Sequence, residues 1–137
     1  MADELVLQVK NQLSEIERIT QSVEAFAERN DLAPKVTFAV NLAIEEVLVN
    51  TISYGYADSG DHVIDIRVTV DAGVLTARVE DDARPFDPTD HPAPDTTKGA
   101  EDRAIGGLGI HLVRGLFDVV EYHRRGERNQ LVMKKNL

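Results

Sequence analysis

The sequence predicts an α+β two-layer sandwich in which three helices pack on one face of a mixed, mostly antiparallel sheet. Two segments with apolar residues at helical spacing lie between segments that alternate apolar and polar residues. Short turns separate consecutive alternating segments, which favours antiparallel hairpins. With 137 residues the chain has the size of one compact domain. We therefore expect a single domain over residues 1–137.

The first predicted elements are a short strand and a helix. Residues 5–9 alternate in a way typical of a strand. Ser14 and Glu17 have the spacing of a capping box, in which a hydroxyl and a carboxylate satisfy backbone N–H groups at a helix start. Apolar residues at helical spacing follow, so the first helix should run to about Asn30.

A second helix is predicted to begin at Pro34, because proline suits the first turn of a helix. Its apolar stripe consists of Val36, Ala39, Val40, Ala43, Val47, Leu48 and Ile52. This helix should end near residues 54–56, where Gly55 could supply a left-handed cap.

Two hairpins are predicted after the second helix. Residues 64–70 and 75–79 alternate on either side of an Asp71-Ala72-Gly73 turn, which predicts a hairpin with one buried and one solvated face. Residues 119–124 and 130–134 should form a last hairpin at the end of the chain.

A proline-rich loop over residues 82–105 carries four of the five prolines. Long loops of this kind in small domains are often functional. Directly after it, Gly106, Gly107 and Gly109 precede the apolar residues of a predicted third helix. Glycine is costly in regular structure, so three in four positions need a reason. A glycine turn that opens a helix presents backbone N–H groups and a positive dipole end, which suits a phosphate.

Composition excludes several classes of function. The net charge of −9, from 24 acidic and 15 basic residues, argues against nucleic acids and anionic membranes as partners. We interpret the basic residues 124–128 as a solvated hairpin turn. The absence of cysteine excludes disulfides and thiolate metal sites. The N-terminus resembles no signal peptide, and we find no apolar run near the ~20 residues of a membrane span, so we expect a cytoplasmic protein.

For three polar side chains the sequence leaves two roles open, one in stabilising the fold and one in a functional site. Asp81 has the parity of the inward residues of its strand, so its carboxylate needs donors. Those donors could be a backbone N–H in the following turn or the amine of a ligand. Glu46 and Asn50 lie four apart and share a helix face, either as a solvated surface or as a site. Asn50 could offer an oxygen to Mg²⁺, and Glu46 could accept a proton.

Together these motifs resemble the histidine-kinase-like ATPases of the Bergerat fold, over about residues 5–135. The nearest likeness is to the stand-alone branch of bacterial anti-sigma factors that are serine/threonine protein kinases. Residues 46–50 resemble the N box of the family, residues 80–88 its first glycine box, and residues 106–109 its second. The motifs occur in the order of the family.

The resemblance implies ATP and Mg²⁺ as cofactors, with residues 88–105 as the ATP lid. It implies that Glu46 is the general base, that Asn50 holds Mg²⁺ and that Asp81 reads adenine. The nucleotide-binding residues it implies are Asn50, Asp81, Ala83, Pro85, Phe86, Thr97, Lys98, Arg103, Gly106, Gly107, Leu108, Gly109 and Ile110.

Two positions depart from the pattern of the family. Ala83 stands where a glycine is usual, and its methyl group could narrow the adenine pocket or be harmless at negative φ. Ile105 stands where some kinases of this group carry an arginine, and Arg103 is the nearest substitute. The second departure makes phosphotransfer less secure than nucleotide binding.

The implied function is phosphorylation of a serine or threonine on an anti-anti-sigma (STAS-type) partner, together with sequestration of a sigma factor by partner switching. A homodimer is compatible with this role. One alternative is an ATP-binding interaction module without phosphotransfer. Another is a detached sensor-kinase output domain, although no helix with a phosphoacceptor histidine is visible. A dinucleotide-binding Rossmann domain is excluded, because the glycine turn comes late, after a proline-rich loop.

Overall fold

The computed structural model describes residues 2–56, 58, 60–85 and 113–137. In chain order its elements are β1 (Asp3–Lys10), α1 (Glu15–Arg29), α2 (Pro34–Asn50), β2 (Val63–Asp71), β3 (Val74–Asp81), β4 (Val119–Arg125) and β5 (Arg128–Asn136). A π-helical turn over Thr51–Gly55 continues α2. Residues 113–116 are helical and represent the described end of the predicted third helix.

The five strands form one sheet in the order β1-β2-β3-β5-β4. Every described strand pair is antiparallel. The alternation of apolar residues turns one face of the sheet toward the helices. The apolar faces of α1 and α2 pack there on fully buried residues of β2 and β3, namely Ile64, Ile66, Val68, Leu75, Ala77 and Val79. The α+β sandwich predicted from the sequence is confirmed.

Both hairpins form at the predicted turns. Ala72 and Gly73 have φ values of 52° and 77°, so the β2–β3 turn has the left-handed backbone that suits the twist of antiparallel strands. Gly126 supplies the left-handed residue of the β4–β5 turn at φ 59°. Pro34 occupies the first turn of α2 as predicted.

The predicted capping box at Ser14 is wrong. Ser14 has helical backbone angles, and its side chain makes no capping hydrogen bond. The carboxylate of Glu15 instead accepts hydrogen bonds from the backbone N–H of Lys10, at 2.9 Å, and from the guanidinium of Arg18. The side chain that connects the start of α1 to β1 is therefore that of Glu15, the residue after the predicted Ser14.

The predicted left-handed cap at Gly55 is also wrong, because the left-handed glycines among the described residues are Gly73 and Gly126. Gly55 is needed for a close approach instead. A Cβ atom built on Gly55 would lie 2.9 Å from the Cβ of Ala83, closer than real Cβ atoms come.

The expectation that no apolar segment approaches the length of a membrane span needs correction. The helix over residues 34–55, counted with its π turn, has 22 residues and contains an 18-residue window with a mean hydropathy of 1.3, which is long and apolar enough by length and composition. Core helices have the same composition. Val40, Ala43 and Ile44 of α2 are fully buried in the core, which accounts for the apolar character of this helix.

Candidate functional site

Asp81 is the last residue of β3, and its side chain points inward as parity predicts, with 5% exposed. Its Oδ1 accepts hydrogen bonds from the backbone N–H of Ala83, at 3.0 Å, and from Nδ2 of Asn129, at 2.9 Å. Burial raises the pKa of this carboxyl, and the two hydrogen bonds lower it in part. The backbone cap, one of the two roles left open by the sequence, is therefore present. Both hydrogen bonds that described residues donate to this carboxylate end on the same oxygen.

Asn129 of β5 is the central residue of a polar network that sequence reasoning missed. It is 7% exposed and lies opposite Asp81 in the β3–β5 register. Its Nδ2 also faces the carbonyl oxygens of Ala83 and Arg84 at 3.1 and 3.0 Å. The predicted strand began one residue later, at Gln130. Parity with the buried Leu131 would have identified Asn129 as inward, as it identified Asp81.

Two side chains of β4 complete this network. Tyr122 donates its hydroxyl hydrogen to Oδ1 of Asn129, and Arg124 donates from Nη1 to the same oxygen at 3.1 Å. The same Nη1 donates to the carbonyl oxygen of Ala83 at 2.8 Å. The interpretation of residues 124–128 as a solvated turn holds for the exposed residues 125–128 but is wrong for Arg124, which is half-buried and bound to the site.

On α2, Asn50 is buried, with 8% exposed, and Glu46 is half-buried one turn before it. The solvated-surface interpretation is therefore wrong for Asn50. Burial raises the pKa of Glu46, a hydrogen bond with the Asn50 side chain lowers it, and the charge of Glu45 raises it. A carboxylate whose pKa is raised by burial is a stronger base, which suits a proton acceptor.

The end of α2 is fastened to the loop that follows Asp81. The backbone N–H of Arg84 donates to the carbonyl oxygen of Gly55 at 3.0 Å, and Nε of Arg84 donates to the carbonyl oxygen of Tyr54 at 3.0 Å. Together with the contact between Gly55 and Ala83, these bonds join the helix that carries Asn50 to the strand end that carries Asp81.

The structure shows the backbone conformation and the packing of Ala83, which departs from the family pattern. Its φ is not positive, so an alanine fits the backbone without strain. Its methyl group is buried against Gly55, and its N–H and carbonyl groups are both hydrogen-bonded. The backbone condition for a harmless alanine is therefore met, and the missing side chain of Gly55 makes room for the methyl group. The effect of this methyl group on the adenine pocket stays a prediction.

Pro85 is described and exposed, directly after this loop. The other predicted residues of the site lie outside the described residues, as does the lid over residues 88–105. They are Phe86, Thr97, Lys98, Arg103, Gly106, Gly107, Leu108, Gly109 and Ile110. The phosphate-binding side of the site therefore stays a prediction.

The described side chains fit the adenosine end of a nucleotide. A buried carboxylate can accept a hydrogen bond from an exocyclic amine, and a buried amide can offer an oxygen to a hard cation. Among the described residues, no group of three or more histidine, aspartate or glutamate side chains could hold a metal by itself. A Mg²⁺ at Asn50 would need phosphate oxygens or water for its remaining ligands.

Comparison with known proteins gives two results. The family model described as "Histidine kinase-like ATPase domain" matches residues 9–135. Serine/threonine-protein kinase BtrW of Bordetella bronchiseptica is 23% identical over 111 residues, which cover 81% of this chain and 78% of the relative. The residues that the family model matches include Glu46, Asn50 and Asp81, with all of β2, β3 and β4, the last two residues of β1 and all of β5 except Asn136. The chain therefore belongs to the histidine kinase-like ATPase domain family.

Proposed function

We propose that this protein is an anti-sigma regulatory factor that phosphorylates a serine or threonine of an anti-anti-sigma (STAS-type) partner and sequesters a sigma factor. Family membership implies ATP binding, and the name of the relative supports a kinase-like activity. The observation that carries the proposal is the joining of two polar groups, Glu46 with Asn50 on α2 and Asp81 at the end of β3, by the contact between Gly55 and Ala83.

In this proposal each side chain has one task. Asp81 accepts a hydrogen bond from the exocyclic amine of adenine, and Asn50 offers its amide oxygen to Mg²⁺. When bound, Mg·ATP supplies the phosphoryl group that is transferred. Glu46 orients the hydroxyl group of the partner and accepts its proton. The glycine turn over residues 106–109 would surround the phosphates with backbone N–H groups.

The cellular part of the proposal follows from the resemblance and from charge. Release of the phosphorylated partner would let the protein capture the sigma factor again, which is partner switching. A net charge of −9 suits protein partners better than nucleic acid or an anionic membrane. We propose a cytoplasmic location and include a homodimer as part of the proposal.

A second candidate is an ATP-binding interaction module without phosphotransfer. The observation that favours it is Ile105, which replaces the arginine that some kinases of this group carry.

A Glu46→Gln variant separates the two functions. Purified protein is mixed with Mg·ATP and a candidate STAS-type partner, and phosphate on the partner and nucleotide affinity are measured in parallel. We expect phosphotransfer to fall by about 100-fold or more, since a general base is lost. ATP affinity should stay within about threefold, because a side chain of equal size leaves the pocket shape unchanged.

The matched control is Glu24→Gln, which makes the same change at an exposed position of α1. It should leave both activity and affinity unchanged. A wild-type protein that binds ATP but phosphorylates no partner would contradict the kinase and favour the interaction module.

A further inference from the structure

The β4–β5 hairpin contributes three side chains to the neighbourhood of Asp81, and none of them belongs to the proposed kinase residues. Asn129, Arg124 and Tyr122 form a continuous chain of hydrogen bonds that ends on Oδ1 of Asp81 and on the carbonyl oxygen of Ala83. A polar network buried at a strand end is costly unless all its groups are satisfied. Its position beside the carboxylate suggests a task beyond fastening the hairpin.

We propose that Asn129, held in place by Arg124 and Tyr122, is a positioning residue that fixes which oxygen of Asp81 meets the base of the nucleotide. This inference rests on the proposed role of Asp81 in adenine binding. It assigns a role in specificity to the β4–β5 hairpin, whose Asn129 lies 48 residues after Asp81 in the chain.

The orientation of the Asn129 amide follows from its partners. Its Oδ1 receives hydrogen bonds from a hydroxyl and a guanidinium, while its Nδ2 faces one carboxylate oxygen and two carbonyl oxygens. The reversed amide would bring acceptor against acceptor on one side and donor against donor on the other. Nδ2 of Asn129 must therefore donate toward Asp81.

This donor restricts the carboxylate of Asp81. Nδ2 of Asn129 and the backbone N–H of Ala83 both approach Oδ1, so rotation about the Cβ–Cγ bond would break two hydrogen bonds at once. The other oxygen, Oδ2, is then held in one direction as an acceptor. A fixed acceptor binds an amine more tightly than a rotating one, because less orientational freedom is lost on binding.

Arg124 extends the restriction to the backbone. Its Nη1 donates to the carbonyl oxygen of Ala83 and to Oδ1 of Asn129, at 2.8 and 3.1 Å. One guanidinium therefore holds both the loop after Asp81 and the amide that faces Asp81. Substitution of Arg124 should therefore give the carboxylate of Asp81 more rotational freedom, although Arg124 is not hydrogen-bonded to that carboxylate.

The test compares ATP with purine riboside triphosphate, which lacks the exocyclic amine. The measured quantity is the ratio of the two Kd values for wild type, Asn129→Ala and Arg124→Gln. For wild type we expect a ratio of about ten or more, the size of one hydrogen bond to a charged group. In Asn129→Ala the ratio should fall below about three, and Arg124→Gln should shift it in the same direction by less.

The matched control is Asn136→Ala, the same substitution at the exposed end of the same strand. It should keep the ratio of the wild type. If Asn129→Ala weakens binding of both nucleotides by the same factor, Asn129 is only a structural fastener and the inference is overturned. Should that variant fail to fold, the ratio measured for Arg124→Gln decides, and an unchanged ratio overturns the inference.

Failure of the proposed function gives a different result. A wild-type protein that binds neither nucleotide contradicts ATP binding itself, and the inference fails with it. A wild-type protein that binds both equally overturns the positioning role but leaves phosphotransfer to be judged by the Glu46→Gln assay.

Discussion

The two hairpins of the sheet have the same kind of turn but differ in how deeply their strands are buried. Each has a left-handed glycine in its turn, Gly73 in β2–β3 and Gly126 in β4–β5. The β2–β3 hairpin lies at the centre of the core, with buried residues on both strands. In β4, at the edge of the described sheet, every residue is exposed or half-buried. Its inward positions are thus available for polar groups that serve the site.

The direction of the strands places the two turns at opposite ends of the sheet. The β2–β3 turn precedes β3, whereas Asp81 ends β3 and pairs with Asn129, next to the β4–β5 turn. The central hairpin therefore contributes to the core through both of its strands, whereas the edge hairpin contributes to it mainly through β5 and also supports the carboxylate. Variants at the two hairpins should separate stability from nucleotide affinity.

The largest effect on stability is expected for Leu75→Ala in the central hairpin. Leu75 is fully buried, so its truncation should lower the free energy of unfolding by about 2–5 kcal/mol. Below the unfolding transition the ATP affinity should stay unchanged, since Leu75 lies at the far end of β3 from Asp81. Denaturant unfolding and ATP titration measure the two quantities.

Val119→Ala on the edge strand is the comparison for this variant. Val119 is 37% exposed, and its truncation should lower the free energy of unfolding by less than about 1 kcal/mol. Equal losses at Leu75 and Val119 would show that the two hairpins do not differ as described.

A smaller effect is expected where α2 meets the loop after Asp81. Gly55→Ala should lower the free energy of unfolding by about 1–3 kcal/mol, because the new Cβ would collide with that of Ala83. Ala83→Gly in the same chain should restore most of the loss. Gly115→Ala is the control, since nothing lies within 4 Å of a Cβ there. Additive losses in the double variant would contradict a direct contact.

The smallest effect is expected at the open end of the β2–β3 hairpin. Nε2 of His62 lies 2.9 Å from Asp58 and Nδ1 lies 3.1 Å from Asp82, and the ring stacks on Tyr56 at 4.1 Å. Hydrogen bonds to Asp58 and then Asp82 raise the pKa of His62 above 6.5, and His62 lowers the pKa of Asp58.

A raised folded pKa means that the protonated histidine stabilises the fold below its unfolded pKa. This contribution is lost as the pH rises through the folded value. The stability difference between wild type and His62→Gln should therefore be larger at about pH 6 than at about pH 9. Denaturant unfolding at both pH values measures it. A difference that grows toward pH 9 would refute this assignment.

Much of the fold and half of the described site could be predicted from local patterns. The alternation of apolar residues predicted the strands and the inward direction of Asp81. The helical spacing predicted that Glu46 and Asn50 share one face of α2. The predictions were wrong where one local pattern is compatible with two different structural roles. Gly55 looked like a helix cap, but its partner is Ala83, 28 residues away.

Asn129 and Arg124 were missed for a related reason. Their importance depends on the pairing of β3 with β5 and not with β4, which is the next strand described along the chain, and on the register that sets Asn129 opposite Asp81. Pairing between strands separated by a long segment depends on the packing of the whole core, which no local window contains.

By itself, the order of residues determined the elements, the inward direction of Asp81 and the sequence of motifs that marks the family, because each depends on periodicity within one segment. Only the tertiary structure decided that Gly55 would accommodate Ala83 and that an edge hairpin would hold the carboxylate. These are contacts between distant segments, and they form when burial of the shared core brings those segments together.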